Sequence, residues 1–542
     1  MAQGPSGARS FDYIIIGGGT AGCVLANRLT EDPGVSVLML EAGPEAASMW
    51  IKMPLGFSRL FAHPTLNWCY STEPEPNLGG RTVYFPRGKV LGGCSAINGM
   101  AYVRGQPEDF DAWERLGNPG WGYADVLPYF KKSEQRFGPA SAYHGADGPL
   151  AVSDPRYIHP SSRDYIEAGV RLGIRRGDDH NGAVQEGINF LQFNIRNGVR
   201  HHAGNAFIDP IRRRSNLTVE TGALSQRIIM DGRRAVGVAY ERHGTPQQAM
   251  AAREVLLAAG ATNSPQLLML SGIGPAAHLQ ALDIDVVVDL PGVGENFQDH
   301  VYVHTVSRTS ADSSLNSQMS GIWKILHGAN YYLTRRGPLT LGASQATAFV
   351  RGLPGARRPD LQINFRPLSH TYDAKGRIGP DPVPGVTVAI YHLQPQSRGR
   401  ILLKSPDPRA APAIHANYLA EQGDEDALVA GVTWARRIFE TEPLKSRIVS
   451  EHSPGEACKS DEDLRAFVRR VALTVCHPVG TCTMGRDAAA VVDERLRVRG
   501  VERLRVIDAS VMPIITSGNT AAACFMIGEK GADMVKEDRA AA

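Results

Sequence analysis

The chain has 542 residues, which exceeds the size at which one hydrophobic core stops growing, so we expect two or more domains. Hydrophobic residues make up 43% of the sequence and charged residues 21%, a composition typical of an ordinary soluble globular protein. The formal net charge is +3, from 58 basic and 55 acidic residues, and this near balance gives no support for a nucleic-acid partner.

The cysteines and the lack of targeting signals indicate an intracellular protein. The seven cysteines are odd in number and scattered, as is typical of reduced thiols, and no residues have metal-ligand spacing. The first ten residues lack the apolar core of a secretory signal, and no apolar run reaches about 18 residues. We therefore expect a cytoplasmic location, no metal and no transmembrane segment, while peripheral contact with the inner membrane stays open.

Residues 11–41 have the pattern of a βαβ unit. Residues 13–16 predict a short buried strand, residues 20–29 a helix rich in small side chains, and residues 35–40 a second strand. A strand, a helix and a second strand in this order are the frame of a dinucleotide-binding fold.

Three glycines occupy the turn between the first strand and the helix. Gly17 permits a tight turn, Gly19 lets the backbone approach a pyrophosphate, and Gly22 lets the helix pack closely on the strand. Thr20 and Ala21 lie at the helix N-terminus, which offers free N–H groups and a partial positive charge to phosphates. The spacing therefore predicts a pyrophosphate site at this turn.

An acidic residue ends the second predicted strand. Glu41 lies nineteen residues after Gly22 and is placed to hold ribose hydroxyls, with Ala42 beside it as a further contact. An acid at this position argues against a 2′-phosphate on the ligand. NAD and FAD both fit this stretch.

The next motif is a glycine-rich loop over residues 87–98, with the sequence RGKVLGGCSAIN. Such a loop has many free N–H groups and suits a planar or anionic ligand. With the GMAYVRG that follows, it resembles the first signature of the glucose-methanol-choline (GMC) oxidoreductases, FAD-dependent enzymes that oxidise alcohols. The resemblance implies cofactor contacts here from Arg87, Val90, Gly92, Gly93, Asn98, Gly99, Met100 and Ala101. Members with covalent FAD have a histidine at the position of Ile97, so the resemblance implies non-covalent FAD.

Further along, residues 254–274 predict a strand, a glycine turn and a helix that starts at Ser264-Pro265. The stretch from 260 to 274 also resembles the second signature of the family, and LPGVGENFQDH at 290–300 continues the resemblance. Between the signatures, Asp231-Gly232 predicts the turn of a β-hairpin.

The remaining segments are less regular. Residues 42–80 contain several prolines and aromatic residues and are interpreted as a packing segment rather than a substrate-binding one. Beyond residue 301 we predict a helix near 322–333, strands at 361–365, 386–393 and 401–404, and a helix at 425–440. Strands followed by helices in this pattern suit an antiparallel sheet that covers a pocket.

These elements predict a mixed α/β and α+β protein: a Rossmann-like FAD-binding domain and a substrate domain built on an antiparallel sheet flanked by helices. The resemblance implies that the FAD-binding domain comprises residues 10–155, 200–310 and 471–538. The substrate domain then comprises residues 156–199 and 311–470.

Two polar residues near the carboxyl end are predicted to carry the chemistry. His477 lies in CHPVGTCTMG and Asn519 in TSGNTAAACFMIGEK. Histidine suits the acceptance of a hydroxyl proton near neutral pH, and an adjacent amide can orient the same oxygen. In the family, the matching residues face the flavin. The resemblance also implies cofactor contacts from Asp508, Ala509, Asn519 and Thr520, at or before a helix predicted over 520–534.

The predicted reaction is the oxidation of a small primary alcohol to the aldehyde, with proton transfer to His477 and hydride transfer to flavin N5. Oxygen or a quinone-like acceptor would reoxidise the flavin. Choline dehydrogenase or oxidase activity and a flavin-containing hydroxynitrile lyase are the alternatives. A photodecarboxylase is disfavoured because residues 393–397, LQPQS, lack the cysteine of that group. A quaternary ammonium would need a cage of aromatic and carboxylate side chains. The sequence does not place the aromatic candidates Trp323, Tyr331, Tyr332 and Tyr391 around the flavin, so we prefer an uncharged alcohol.

Overall fold

The computed structural model describes residues 9–138, 141–372 and 378–541. The strands are β1 (Arg9–Ile16), β2 (Val37–Glu41), β3 (Tyr70–Ser71), β4 (Tyr84–Phe85), β5 (Glu134–Phe137), β6 (Leu150–Ser153), β7 (Gly187–Phe190), β8 (Ile195–Arg196), β9 (Val199–Arg200), β10 (Leu217–Thr221), β11 (Ala223–Asp231), β12 (Arg234–Arg242), β13 (Thr245–Leu257), β14 (Ile273–Gly274), β15 (Val288–Asp289), β16 (Val301–Thr309), β17 (Ala346–Val350), β18 (Leu361–Arg366), β19 (His370–Tyr372), β20 (Ile378–Pro380), β21 (Gly385–His392), β22 (Arg400–Leu402), β23 (Ala413–His415), β24 (Ile448–Ser453), β25 (Leu473–Thr474) and β26 (Leu504–Val506). The α-helices are α1 (Thr20–Leu29), α2 (Met49–Lys52), α3 (Phe57–Leu60), α4 (Pro107–Arg115), α5 (Tyr123–Ser133), α6 (Pro160–Arg171), α7 (Gly260–Leu270), α8 (Ala276–Gln280), α9 (Gly321–Thr334), α10 (Gln422–Phe439), α11 (Asp461–Val471) and α12 (Ala521–Ala541).

The first sheet has the spatial order β10-β2-β1-β13-β12-β11, and β26 also pairs with β13. β10, β2, β1, the second half of β13 and β26 run parallel, which follows from their connection through helices and other long segments. β11 and β12 form the predicted antiparallel hairpin, closed between Asp231 and Arg234. This arrangement confirms the Rossmann-like part of the predicted fold.

The second sheet has the order β24-β16-β21-β18-β17-β7, with β25 paired to β16, and its strands are antiparallel. Helix α10 packs across β21, β18 and β16, so one face of the sheet is buried. This confirms the predicted antiparallel sheet with flanking helices.

Each sheet has its own hydrophobic core. The core of the first sheet includes β1, β2 and the buried faces of α1 and α12. The core of the second sheet includes β18, β21 and α10. Burial of apolar side chains on both sides of β1 and β2 explains why these strands read as continuous apolar runs.

Several elements differ in detail from the sequence prediction. The strand predicted at 401–404 is β22, but it pairs with β23 in a separate two-stranded sheet instead of joining the second sheet. The predicted domain boundary between 310 and 311 falls after β16, whereas β16 pairs with β21, β24 and β25 of the second sheet. A motif ending at His300 carries no information about which sheet the following strand joins.

Helix α7 begins at Gly260, so the predicted start at Ser264-Pro265 is wrong. Pro265 lies inside the helix and has no N–H to donate to the Ala261 carbonyl. Instead, the Thr481 hydroxyl donates to that carbonyl at 2.6 Å. A residue more than two hundred positions away in the sequence therefore supplies the hydrogen-bond donor that Pro265 lacks.

Candidate active site

A cavity lies between the first sheet and the second sheet. Its walls come from the turn after β1, the end of β2, the 87–101 loop and the start of α12 on one side. Tyr302, Asn364, Ala389 and Tyr391 from the second sheet form part of the opposite side. The two predicted domains thus contribute jointly to one site.

The glycines of the first motif shape the turn as predicted. Gly17 has a φ of +101°, in the region that favours glycine. A Cβ on Gly22 would lie 2.0 Å from the Gly17 carbonyl oxygen, so α1 can begin this close to β1 because residue 22 is glycine. No side chain caps the α1 N-terminus at Gly19. The first N–H groups of α1 therefore face the cavity without a side-chain acceptor, as a phosphate site requires.

Glu41 lies on the cavity wall at the end of β2 and is buried. Its carboxylate accepts the backbone N–H of Gly18 at 2.9 Å and of Gly43 at 2.8 Å. Burial raises the pKa of Glu41 to about 7, although these two N–H groups favour the ionised form. Additional hydroxyl donors would stabilise the carboxylate further, which is the chemistry expected of a ribose contact.

Most of the predicted cofactor residues share the cavity wall. Those that line it are Gly17, Gly19, Thr20, Ala21, Glu41, Ala42, Arg87, Gly93, Asn98, Gly99, Met100, Ala101, Asp508, Ala509, Asn519 and Thr520. Gly22, Val90 and Gly92 lie behind it: Gly22 packs against the Gly17 turn, Val90 is buried in a small apolar cluster, and the Gly92 N–H donates to the Gly18 carbonyl.

Two buried hydroxyl groups lie on the cavity wall. Ser225 Oγ and Thr262 Oγ1 have no hydrogen-bond partner within the described ranges, and both residues line the cavity. A buried hydroxyl without a partner is costly, so a polar ligand would stabilise this wall. Together with the uncapped helix and Glu41, these groups suit the extended, polar adenosine-diphosphate part of FAD.

His477 lies on the cavity wall and is held through its backbone. The Cys476 carbonyl and the His477 N–H belong to one peptide group, which is held from both sides. Arg87 Nη1 donates to the Cys476 carbonyl at 2.7 Å, and the His477 N–H donates to Asp299 Oδ1 at 2.7 Å. Cys476 has a φ of +66°, unusual for a residue with a side chain, and these two hydrogen bonds help to retain that backbone conformation.

Asp299 is the buried carboxylate of this arrangement. In addition to the His477 N–H, it accepts hydrogen bonds from the hydroxyls of Thr474 and Tyr418. Burial raises the pKa of Asp299 to about 6, while the hydrogen bonds oppose that shift.

Hydrogen bonds assign the protons of His477. The Leu393 carbonyl can only accept, so His300 donates to it through Nε2–H, at 3.1 Å. His300 Nδ1 must then accept from His477 Nδ1–H, at 3.0 Å. His477 Nε2 is left without a proton and accepts from the Asn519 amide at 3.1 Å. His477 is therefore neutral, with a proton-accepting nitrogen beside Asn519.

The surroundings of the two histidines also favour the neutral form. Burial, the neighbouring His300 and the charge of Arg87 hold the pKa of His477 well below its usual range. Burial lowers the pKa of His300 to about 3. Both imidazoles are consequently uncharged at neutral pH.

The second sheet extends the hydrogen-bond chain. Gln362 donates to Asn364 Oδ1 at 3.1 Å, and the Asn364 amide donates to the Tyr391 hydroxyl at 3.0 Å. Tyr391 in turn points its hydroxyl at Asn519 Oδ1, at the long distance of 3.5 Å. These contacts orient the Asn519 amide so that its N–H groups face His477.

The sequence interpretation missed several of these residues. Asp299 and His300 end the 290–300 stretch. The Gln-Asp-His triplet after its glycine-rich turn could have indicated functional side chains, but no role was assigned to these residues. Tyr391 was considered only as an aromatic candidate for binding a quaternary ammonium, and Asn364 gave no signal, because strand periodicity does not identify the residues that face a distant helix. The 42–80 segment also differs from its interpretation as packing, since Phe57, Phe61 and Trp68 line the cavity.

Comparisons with known proteins agree with these features. Two GMC oxidoreductase family profiles match residues 11–302 and 395–528. An oxygen-dependent choline dehydrogenase from Rhizobium etli is 42% identical over 97% of this chain and 95% of its own. An alcohol dehydrogenase [acceptor] from Pseudomonas putida is also 42% identical, with the same coverage.

Solved structures show the same fold. A formate oxidase from Aspergillus oryzae RIB40 superimposes with a TM-score of 0.92 at 28% identity, over 98% of this chain and 99% of its own. Pyridoxine 4-oxidase from Mesorbium loti gives a TM-score of 0.87 at 30% identity, over 97% and 99%. The chain belongs to the GMC oxidoreductases, FAD-dependent enzymes that act on CH–OH donors.

Proposed function

We propose that this protein oxidises an uncharged primary alcohol to the aldehyde, with His477 as the base. FAD, when bound, supplies the acceptor for the hydride that leaves the alcohol carbon. The observation that carries the proposal is the neutral His477, whose unprotonated Nε2 lies beside Asn519 on the cavity wall. A base in this protonation state can accept a hydroxyl proton without a preceding change of charge.

The proposed proton transfer follows from the hydrogen bonds. The substrate hydroxyl would donate to His477 Nε2, and the Asn519 amide would then donate to the substrate oxygen. As the proton moves to Nε2, Nδ1–H remains bonded to His300, so the imidazolium is held in place. Oxygen or a quinone-like acceptor completes the proposed cycle.

For the cofactor, we propose the G-x-G-x-x-G turn and the α1 N-terminus as the pyrophosphate site and Glu41 as the ribose contact. The 87–101 loop and residues 508–520 would hold the remainder. Ile97 lines the cavity and cannot form a covalent link to a flavin, in keeping with non-covalent FAD. We also propose residues 10–155, 200–300 and 471–538 as the FAD-binding domain, which shortens the predicted 200–310 segment because β16 pairs with strands of the second sheet.

The charges on the cavity wall favour an uncharged substrate over choline. Among the described lining residues the cations are Arg87 and Arg366, whereas burial lowers the pKa of His370, which also lines the cavity, to about 3 and leaves that ring uncharged. Among its described lining residues, the carboxylates are Glu41 and Asp508, and each accepts backbone N–H groups of the nucleotide-binding loops. A quaternary ammonium is best bound by aromatic faces and carboxylates. Choline is retained as the second candidate because a choline dehydrogenase is among the similar relatives.

The test is anaerobic reduction of the purified flavoprotein. Choline, medium-chain alkanols and benzyl alcohols are added separately, and the visible flavin band is recorded. We expect an alkanol or a benzyl alcohol to bleach the band, and the His477→Ala variant to bleach about a hundredfold more slowly or worse. Readmission of air then distinguishes an oxidase, which recovers its colour rapidly, from a dehydrogenase.

Three results would contradict the proposal. Bleaching by choline alone would assign the protein to choline oxidation. Cleavage of a cyanohydrin with an unchanged flavin band would indicate a hydroxynitrile lyase. Wild-type bleaching rates in His477→Ala with normal flavin content would remove His477 as the base.

A further inference from the structure

Helix α9 exposes an unusual number of large apolar side chains. Its apolar face consists of Ile322, Trp323, Ile325, Leu326, Tyr332 and Leu333, and each of these residues is exposed, from 49% for Leu326 to 84% for Leu333. They are half of the exposed large apolar residues within the described ranges. Contiguous apolar surface of this kind marks an interaction site on a protein that otherwise exposes such residues singly.

Helix α9 exposes its apolar side to solvent and buries part of its opposite side. Ile322, Leu326, Ala329 and Leu333 recur at intervals of three or four residues, which places them on one side of the helix. Tyr331 lies on the opposite side and is buried, and its hydroxyl donates to the Gly198 carbonyl at 3.1 Å. The residue that anchors α9 to the protein is thus opposite the apolar face, so the anchoring contact holds that face outward.

The charges around α9 point to an anionic partner. The sequence has no Asp or Glu between residues 313 and 359, while Lys324, Arg335 and Arg336 lie in or directly after the helix. Trp and Tyr on the apolar face are side chains suited to the boundary between hydrocarbon and water. A helix of 14 residues is too short to cross a bilayer and would lie in the plane of its surface.

We infer that the α9 apolar face docks on the surface of a lipid bilayer that contains anionic headgroups. A second copy of the chain fits less well, because a two-fold contact through this face would bring Lys324, Arg335 and Arg336 against the same cations. No described helix is sufficiently long and apolar to cross a membrane, so attachment through this face is peripheral.

The position of α9 links docking to the cavity. The Tyr331 hydroxyl also lies 3.3 Å from the Lys52 carbonyl oxygen, and the Tyr332 hydroxyl lies 4.0 Å from Met49 Sδ, so α9 contacts α2. The chain continues from α2 to Phe57 and Phe61, which line the cavity. Docking through α9 would therefore place the aromatic wall of the cavity beside the bilayer.

The test is cosedimentation of the holoenzyme with vesicles of phosphatidylcholine alone and of phosphatidylcholine with an equal part of phosphatidylglycerol. We expect the wild-type protein to pellet with the mixed vesicles. The variant Ile322→Ser/Leu326→Ser/Leu333→Ser should bind them about tenfold more weakly or worse, with unchanged flavin content. Val449→Ser, at an equally exposed position on β24, is the matched control and should bind like wild type.

A second measurement needs no disruptive substitution. Brominated phosphatidylcholine in the mixed vesicles should quench part of the tryptophan emission of the wild-type protein, and Trp323→Phe should abolish that part. Failure of the wild-type protein to pellet, or equal pelleting of the triple variant, would overturn the inference. So would a dimer in analytical ultracentrifugation that the triple variant loses while neither protein binds vesicles.

Discussion

In the proposed reaction, His300 determines which nitrogen of His477 acts as the base. Because its Nε2–H is committed to the Leu393 carbonyl, its Nδ1 can only accept, and this fixes the His477 proton on Nδ1. A partner of this kind controls both the tautomer and the orientation of a catalytic imidazole. His300 is accordingly a positioning residue in the proposed reaction.

We expect His300→Leu to lower kcat about 10- to 100-fold, because His477 Nδ1–H loses its acceptor and the ring loses its fixed tautomer. The flavin content should not change. His300→Gln, whose amide oxygen can accept the same hydrogen bond, should recover part of the rate. Steady-state kinetics of the two variants provide the measurement, and a loss confined to KM would contradict the assigned role.

The low pKa of His477 predicts the acid side of the pH profile. In the proposed reaction the neutral imidazole is the active form, and burial lowers the pKa of His477, so protonation should reduce the rate only at a pH well below the usual histidine range. We expect kcat/KM to stay level through about pH 6.5, the usual pKa of histidine, and to fall only at a pH well below it. Asp299, with a pKa of about 6, titrates nearby, so the profile is also measured in Asp299→Asn. An acid limb centred at or above pH 6.5 in both proteins would contradict this prediction.

At the scale of elements, α7 shows how a loop from another part of the chain completes a helix. Pro265 removes one donor within α7, and the Thr481 hydroxyl replaces it at the Ala261 carbonyl. Near the start of the same helix, Asp508 accepts the Gly260 N–H at 2.8 Å and the Ser264 hydroxyl at 2.6 Å. The second signature thus depends on residues from the last third of the chain.

We expect Thr481→Val to lower the free energy of unfolding by about 1–3 kcal/mol, because the buried Ala261 carbonyl would lose its donor. Urea unfolding of the holoenzyme provides the measurement. Thr481→Ser keeps the hydroxyl and is the control, with a smaller loss expected. If the serine variant were the less stable one, packing of the methyl group rather than the hydrogen bond would be responsible.

At the scale of the whole molecule, helices from the first and last parts of the chain meet in the core of the first sheet. Helix α12 packs on α1, and Arg28 forms a bidentate ion pair with Glu529, at 2.7 and 2.8 Å. The Glu529 side chain is fully buried and that of Arg28 is 14% exposed. Lys132 Nζ lies 3.7 Å from the same carboxylate. The Arg28–Glu529 ion pair therefore connects α1, the helix of the G-x-G-x-x-G motif, to α12, the helix that follows Asn519.

We expect Arg28→Met to destabilise the protein by about 3 kcal/mol, at the lower end of the range for a broken buried pair because Lys132 remains nearby. Glu31→Gln removes the exposed partner of Arg28 and should cost less than about 1 kcal/mol. Unfolding in urea gives both values. The double variant Arg28→Met/Glu529→Leu should recover most of the loss, and failure to do so would argue that the arginine contributes by packing.

The sequence by itself determined the features that depend on local spacing. The G-x-G-x-x-G turn with Glu41, the two family signatures and the positions of His477 and Asn519 were all readable, because each is encoded within a few tens of residues. The helix at α9 was also predicted from its periodicity, although periodicity alone would normally place its apolar face inside the protein.

Only the tertiary structure decided which distant residues meet. It brought Arg87 and Asp299 to one peptide group, His300 to His477, and Tyr391 with Asn364 to Asn519. In the tertiary structure α7 begins at Gly260, earlier than predicted, and the apolar face of α9 is exposed to solvent. The physical reason is that such contacts depend on strand register and helix rotation, and a shift of one residue along a strand would turn each side chain to the other face.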